Sequence, residues 1–281
     1  MRGNKPLIGL VHNSKVPKAL VLGKSLLAIL EAQNHSWISS AEKLNTVGNK
    51  INDTRVIVTV GGDGTILRTV RLAAPADVPI LSVNMGRVGF MTELDTQEAE
   101  SLIREYVFGS SKVEERMMLT ATRVSGSDGS SGDVHALNDV VVSRGEMARL
   151  LQVEARVDGV KMTTYRADGV VVATATGSTG YALSVGGPIL HPQSKETVLV
   201  PIAGHMCLQT PLVLTEESTV ELHVTNDAQA FMSVDGFIAQ DLKMGDRIRI
   251  KRSPYVAKLL RIRGLETFYA TLTQRLGVVD R

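Results

Sequence analysis

Over its first hundred residues the chain alternates short apolar runs with helically spaced segments. Leu7–Val11 is apolar, and the segment from Val16 to Gln33 sets Leu20, Leu22, Leu26, Leu27 and Leu30 at helical spacing. Arg55–Val60 is rich in β-branched residues and stops abruptly at Gly61-Gly62. Thr65–Ala73 reads as a helix, Pro79–Val83 as a buried strand and Gln97–Phe108 as a closing helix. Buried strands separated by helices predict βαβ units and a parallel sheet, because both faces of such a sheet are covered.

The pattern changes near Lys112. Met118–Val124, His135–Val142, Leu151–Val157, Val160–Tyr165 and Gly169–Ala173 are short, β-rich and separated by turn residues. Asp158-Gly159 suits the two positive-φ positions of a type I′ hairpin turn. Thr219–Val224, Ala230–Val234 and Arg247–Lys251 continue the series, and Ser125–Asp133 reads as a flexible loop. Thr267–Leu276 returns to helical spacing. The expected architecture is therefore an α/β N-terminal domain with a parallel sheet, residues 1–115 completed by 265–281, plus a mostly β C-terminal domain over 116–264.

Composition narrows the function classes. The chain has 281 residues and balances 31 Lys+Arg against 29 Asp+Glu, so no polyanion-binding surface is expected. With only five Phe, five Tyr and one Trp, repeated base-stacking platforms are excluded. One cysteine, Cys207, permits no intrachain disulfide and fits a reducing cytoplasm. No apolar run approaches the roughly 20 residues needed to span a bilayer, so neither nucleic acid nor membrane is an expected partner. The six histidines show no HxxxH or HxH spacing and there is no CxxC, so no metal-ligating set is predicted.

Candidate chemistry concentrates in four stretches. Gly61-Gly62-Asp63-Gly64-Thr65 follows a strand and opens a helix, a setting in which free N–H groups cradle phosphate; Arg68 adds a cation one turn on. An acid inside an anion site is costly without a task, which makes Asp63 a candidate general base or metal contact. Asn84 opens Asn-Met-Gly-Arg-Val-Gly-Phe90 at a strand end, either a ligand loop or an ordinary βα connection. Asn138-Asp139 precedes a Val run, where an amide beside a carboxylate suits adenine and ribose; a polar strand start is the alternative. Finally, Thr174-Ala-Thr176-Gly-Ser-Thr179-Gly180-Tyr181-Ala182-Leu183-Ser184 follows a buried strand with small and hydroxylated residues, poor core material that suits a nucleotide contact.

Taken in order, Gly61–Thr65, Asn84-x-Gly-x-x-Gly-Phe90, Glu115–Leu119, Leu137-Asn-Asp and Thr174–Tyr181 resemble the NAD kinase family. Gly186–Pro192, Pro211–Leu214 and Ser233-Val-Asp-Gly236 extend the resemblance over about residues 5–276. The resemblance implies phosphoryl transfer from ATP, or another phosphate donor, to the 2′-hydroxyl of the adenosine ribose of NAD, making NADP. It makes Asp63 the base, with Gly64 beside the substrate and Phe90 against the adenine. Asn138 and Asp139 would bind adenosine and ribose, while Arg166, Asp168 and residues 179–184 line the dinucleotide site. Ala203 would stand near the nicotinamide end and Arg149 at a basic contact. The resemblance further implies a divalent ion, Mg²⁺, carried by the donor, and a cytoplasmic homodimer or homotetramer in which Tyr181 and Ala203 serve a neighbouring subunit. This chain departs from the family in Asp139 for Glu, Ala175 for Pro, Gly180 for Ala and Phe237 for Gln. A lipid kinase and a dinucleotide sensor without turnover are the alternatives.

Overall fold

The computed structural model describes residues 7–32, 35–86, 89–124, 132–145, 149–205, 208–264 and 266–277. Arg87, Cys207 and residues 125–131 of the expected flexible loop lie outside the described residues. The chain divides into two compact units, Met1–Glu115 with Ala257–Arg281, and Arg116–Val256. No helix among the described residues is long and apolar enough to cross a membrane.

The first unit is an α/β layer structure. It contains β1 (Leu7–His12), α1 (Pro17–Ile29), β2 (Ser36–Ser40), β3 (Thr54–Gly61), α2 (Asp63–Ala73), β4 (Ile80–Asn84) and α3 (Ala99–Phe108). The strands lie in the order β2-β1-β3-β4 and all pair in parallel. Ile8, Leu10, Val56, Val58, Val60, Leu81 and Val83 pack with Leu26, Leu27, Ile103 and Tyr106 from the helices. β3 is buried along nearly its whole length, as its β-branched sequence requires in a sheet covered on both faces. Pro17 starts α1 at the position where a missing N–H costs nothing.

The second unit is mostly antiparallel. Its strands are β5 (Lys112–Val124), β6 (Val134–Ala136), β7 (Asp139–Arg144), β8 (Leu151–Val157), β9 (Val160–Ala167) and β10 (Gly169–Thr174). After the short helix α4 (Tyr181–Ser184) come β11 (Thr197–Ile202), β12 (Leu212–Leu214), β13 (Val220–Val224), β14 (Ala230–Val234), β15 (Phe237–Leu242) and β16 (Arg247–Arg261). One sheet runs β12-β11-β10-β7-β14-β15 and faces a second built on β13, β8 and β9 with the start of β16. Val140, Val142, Val170 and Val172 meet Leu151, Val153, Leu222 and Ile248 in its core. β16 is long enough to belong to both units: Arg247–Ile250 pairs with β13, while Leu259 pairs with Ile80 of β4. Helix α5 (Glu266–Arg275) follows in the first unit.

The predicted strand over His135–Val142 is divided in the structure. β6 stops at Ala136 and β7 starts at Asp139, because the intervening backbone hydrogen-bonds to a side chain.

Candidate functional site

In the first unit the site begins where β3 becomes α2. Gly62 is the extended N-cap residue, and Thr65 and Ile66 donate their N–H groups back to its carbonyl. A side chain on Gly61 would put its Cβ 2.8 Å from Thr65 Cβ, so glycine lets the first turn fold onto the strand. Asp63 occupies the first turn, where a negative charge is favoured by the helix dipole. Its carboxylate accepts the N–H of Phe90 on Oδ2 at 3.3 Å and that of Met91 on Oδ1 at 3.4 Å. Gly89 lies directly against it, since a Cβ there would stand 2.6 Å from Asp63 Cγ. The carboxylate is thus aimed by two peptide groups from a turn 27 residues away, a contact that no local sequence pattern announces.

The other predicted residues of this unit have varied surroundings. Asn84 lies beside Gly61 in the sheet and is buried. Its amide is engaged within its own loop, donating to Gly86 O at 2.8 Å and accepting from Gly86 N–H at 3.3 Å. Phe90 packs against α5: the Phe268 ring is 6.0 Å away and the Arg275 guanidinium lies 4.9 Å from the Phe90 centroid. Gly62 and Gly64 have open space where a side chain would project, leaving room at the helix N-terminus. Arg68 lines a cavity of about 390 Å³ with Glu42, Asn45 and Arg71. Burial pushes the Glu42 carboxyl upward, but hydrogen bonds, including those from Ser14 and Ser40, and the charge of Arg68 hold it below its usual range.

In the second unit, Asp235 organises the next cluster from a left-handed turn with φ 52°. Its carboxylate accepts three successive N–H groups, from Leu137 at 2.9 Å, Asn138 at 2.7 Å and Asp139 at 3.2 Å. Asp139 is buried, and burial followed by repulsion from Asp235 raises its carboxyl pKa to about 7. Asn138 Oδ1 is buried with no hydrogen-bond partner among the described residues. Such an acceptor is costly to leave unsatisfied and is suited to a ligand donor.

The segment after β10 closes over Asn138. Thr174 Oγ1 donates to Leu137 O at 2.6 Å and accepts the Gly177 N–H at 3.1 Å. Gly177 comes so close to Asn138 that a Cβ would lie 2.5 Å from its carbonyl carbon. Buried Arg116 donates to Thr176 Oγ1 at 3.2 Å. Thr179 and Gly180 then lead into α4, where Ala182 is buried, Leu183 half-buried and Tyr181 and Ser184 exposed. Thus Asn138, Asp139, Thr176 and residues 179–184 are brought together.

Arg166, Asp168 and Ala203 share another neighbourhood. Asp168 pairs with Arg144 Nε at 2.7 Å, and its N–H donates to Ile202 O at 2.9 Å. The Arg166 carbonyl accepts from His205 N–H at 2.8 Å, while Ala203 has φ 48°. Arg149 is exposed just before β8. Sequence reasoning did not single out Arg116 or Arg144 for the site, and it took Gly89 only as one of two glycines shaping the loop after Asn84. The visible signals were a charge against the apolar run 117–119 and a glycine ahead of Phe90.

Comparison with known proteins decides the family. The ATP-NAD kinase N-terminal domain matches residues 8–110 and the ATP-NAD kinase C-terminal domain residues 137–262. The chain belongs to the NAD kinase family. The NAD kinase of Dehalococcoides mccartyi (strain CBDB1) is 40% identical over 270 residues, covering 96% of this chain and 95% of that protein. The NAD kinase of Chloroflexus aurantiacus (strain ATCC 29366 / DSM 635 / J-10-fl) is 40% identical over 226 residues, 80% of this chain and 82% of that one. Among solved structures, an Archaeoglobus fulgidus NAD kinase in complex with ATP has a TM-score of 0.76 at 28% identity, covering 97% of this chain and 99% of that chain. Yeast NADH kinase complexed with NADH shares the fold, with a TM-score of 0.86, 24% identity and coverage of 99% and 90%. The family is one of phosphotransferases, and it displaces both the lipid-kinase and the sensor alternatives.

Proposed function

We propose that this NAD kinase, which phosphorylates NAD to NADP, uses Asp63 to take the proton from the adenosine-ribose 2′-hydroxyl as the phosphoryl group arrives from ATP. The observation that carries this reading is the Asp63 carboxylate itself, held by two N–H groups at the strand-to-helix turn where phosphate is also favoured. The open N-terminus of α2 around Gly61, Gly62, Gly64 and Thr65 receives the transferring phosphate, with Arg68 further along the helix for the donor. Asn138 Oδ1 accepts from the adenine amine and Asp139 from ribose hydroxyls. Thr176 and residues 179–184 line the dinucleotide, with Arg166, Asp168 and Ala203 toward the nicotinamide end and Phe90 beside the adenine. Arg149 adds a basic contact.

The described residues include no group of three or more His, Cys, Asp or Glu that could hold a metal ion. In this reading Mg²⁺ would come with the triphosphate donor, where it would offset the negative charge. The same reading makes the protein a cytoplasmic homodimer or homotetramer in which Tyr181, exposed here, and Ala203, left-handed here, serve a neighbouring subunit's site. Sedimentation of the active enzyme tests the assembly, with a strictly monomeric active species refuting it.

The deciding experiment gives purified protein NAD, ATP and Mg²⁺ and measures NADP with an NADP-specific dehydrogenase. Asp63→Asn should lose about 10²–10⁴-fold in turnover while keeping its NAD affinity. Unchanged turnover in that variant removes Asp63 from the mechanism.

A further inference from the structure

Glu93 is an unusual residue to bury. Its side chain is 3% exposed, yet both carboxylate oxygens are fully engaged within the first unit. Oε1 accepts the Tyr106 hydroxyl at 2.6 Å and the N–H groups of Ile262 at 3.0 Å and Arg263 at 3.2 Å. Oε2 accepts Arg261 Nη1 at 2.8 Å. Burial alone would raise this carboxyl, but the Arg261 charge and these donors hold it below its usual range, so it stays ionised.

Arg261 carries the connection onward. The same Nη1 donates to Thr92 O at 3.2 Å, and Nε reaches Glu114 Oε1 at 3.3 Å. Thr92 closes the turn that holds the base: its hydroxyl accepts the Gly89 N–H at 2.9 Å and lies 3.4 Å from Gly89 O. From the other side, Ser82 Oγ donates to Met91 O at 3.0 Å, and Ser82 O accepts the N–H groups of Glu93 and Leu94. Phe90 and Met91, whose N–H groups aim the Asp63 carboxylate, are therefore bracketed by a buried polar contact from Ser82 and part-buried ones at Thr92.

We propose that Glu93, through Arg261, is a positioning residue for the phosphoryl transfer: it fixes the Gly89–Thr92 turn that orients the Asp63 carboxylate. This rests on the reading of Asp63 as the base. Glu93 touches neither substrate nor reacting atom, so its loss acts first on how often the carboxylate stands in line with the hydroxyl, and only secondarily on NAD binding through Phe90 in the same turn. A misplacement of about 1 Å from outside the reacting centre is enough to cost about 100-fold in rate.

The experiment is a double-mutant cycle on the full chain, with NAD and Mg²⁺-ATP as substrates. Glu93→Ala should lower kcat by about 10–100-fold, with KM for ATP within about twofold of wild type and KM for NAD rising by less than kcat falls. Glu93→Gln retains a carbonyl acceptor and should recover part of that loss. In the Asp63→Asn background, Glu93→Ala should add almost nothing, because there is no carboxylate left to aim. An equal loss in both backgrounds, or a raised KM at unchanged kcat, overturns the positioning role. Full turnover in Asp63→Asn alone instead overturns the base assignment, so the two failures are distinguishable. If circular dichroism finds Glu93→Ala unfolded, Ser82→Ala takes its place, since it removes one hydrogen bond to Met91 O and no buried charge. It should lower kcat without moving KM, again only when Asp63 is present, and an unchanged kcat overturns the proposal.

Discussion

Replacing Gly89 by alanine places one methyl group against the proposed base. The added Cβ would lie 2.6 Å from Asp63 Cγ, 2.8 Å from Oδ2 and nearer still to Oδ1. Ordinary carbon contacts are at about 3.5–4.0 Å, so the carboxylate must retreat by about 1 Å. It can do so by turning about its side-chain torsions, but it then leaves the N–H groups of Phe90 and Met91. A displacement of that size predicts a fall in kcat of about 100-fold. Asn138 and Asp139 are unaffected, so the KM for NAD should stay within about threefold. Overpacking at one methyl costs about 1–3 kcal/mol, which thermal melting monitored by circular dichroism will show as a shift of a few degrees. Gly86→Ala is the control, because open space surrounds a Cβ at that position and it should behave as wild type. A folded Gly89→Ala enzyme with wild-type kcat would refute both the geometry of this turn and the assignment of Asp63.

Three further outcomes are expected. Gly177→Ala sets a Cβ 2.5 Å from the Asn138 carbonyl carbon, against backbone that cannot rotate away. It should destabilise by about 1–3 kcal/mol and raise the KM for NAD, read from a melt and from initial rates. Because the Asp139 pKa rises from 3.8 to about 7 on folding, the native state binds the extra proton. Stability therefore falls as pH climbs between those values, by about 4 kcal/mol at most. In urea titrations Asp139→Asn should flatten that slope and gain most at pH 8; an unchanged slope would place the titration elsewhere. Phe90→Ala removes a ring proposed to lie beside the adenine, and loss of base stacking worth about 1–3 kcal/mol should raise the KM for NAD by about tenfold or more. The Arg275 contact already made by that ring makes isothermal titration with NAD the better readout, with unchanged affinity counting against Phe90 as an adenine contact.

The elements legible in the sequence are those whose own side chains decide them. β3 and β4 are apolar enough to be read as buried strands, and Gly61-Gly62 marks the stop of the first. β2 is not legible: Ser36–Ser40 carries three serines in five residues and is a strand because its backbone pairs in register with β1. β11 is fully buried, but Pro201 interrupts a run that otherwise reads as a strand. β16 extends ten residues past the predicted Arg247–Lys251 run, through Pro254 and into the other unit. The same distinction governs the site. Asp63 stands out because a carboxylate in a glycine-rich turn is locally anomalous, and Asn138-Asp139 because polar residues lead a valine strand. Their partners are hidden, since a backbone N–H has no residue identity: Phe90 and Met91 act on Asp63 through peptide groups. Asp235 lies 97 positions from Asn138, and its Asp-Gly pair has the form of any turn. Its carboxylate nevertheless divides β6 from β7 by taking the N–H groups that a continuous strand would have used. Burial first, and then the charge of Asp235, raise the neighbouring Asp139, so the carboxylate that ends a strand also adds to the shift of the residue beside it.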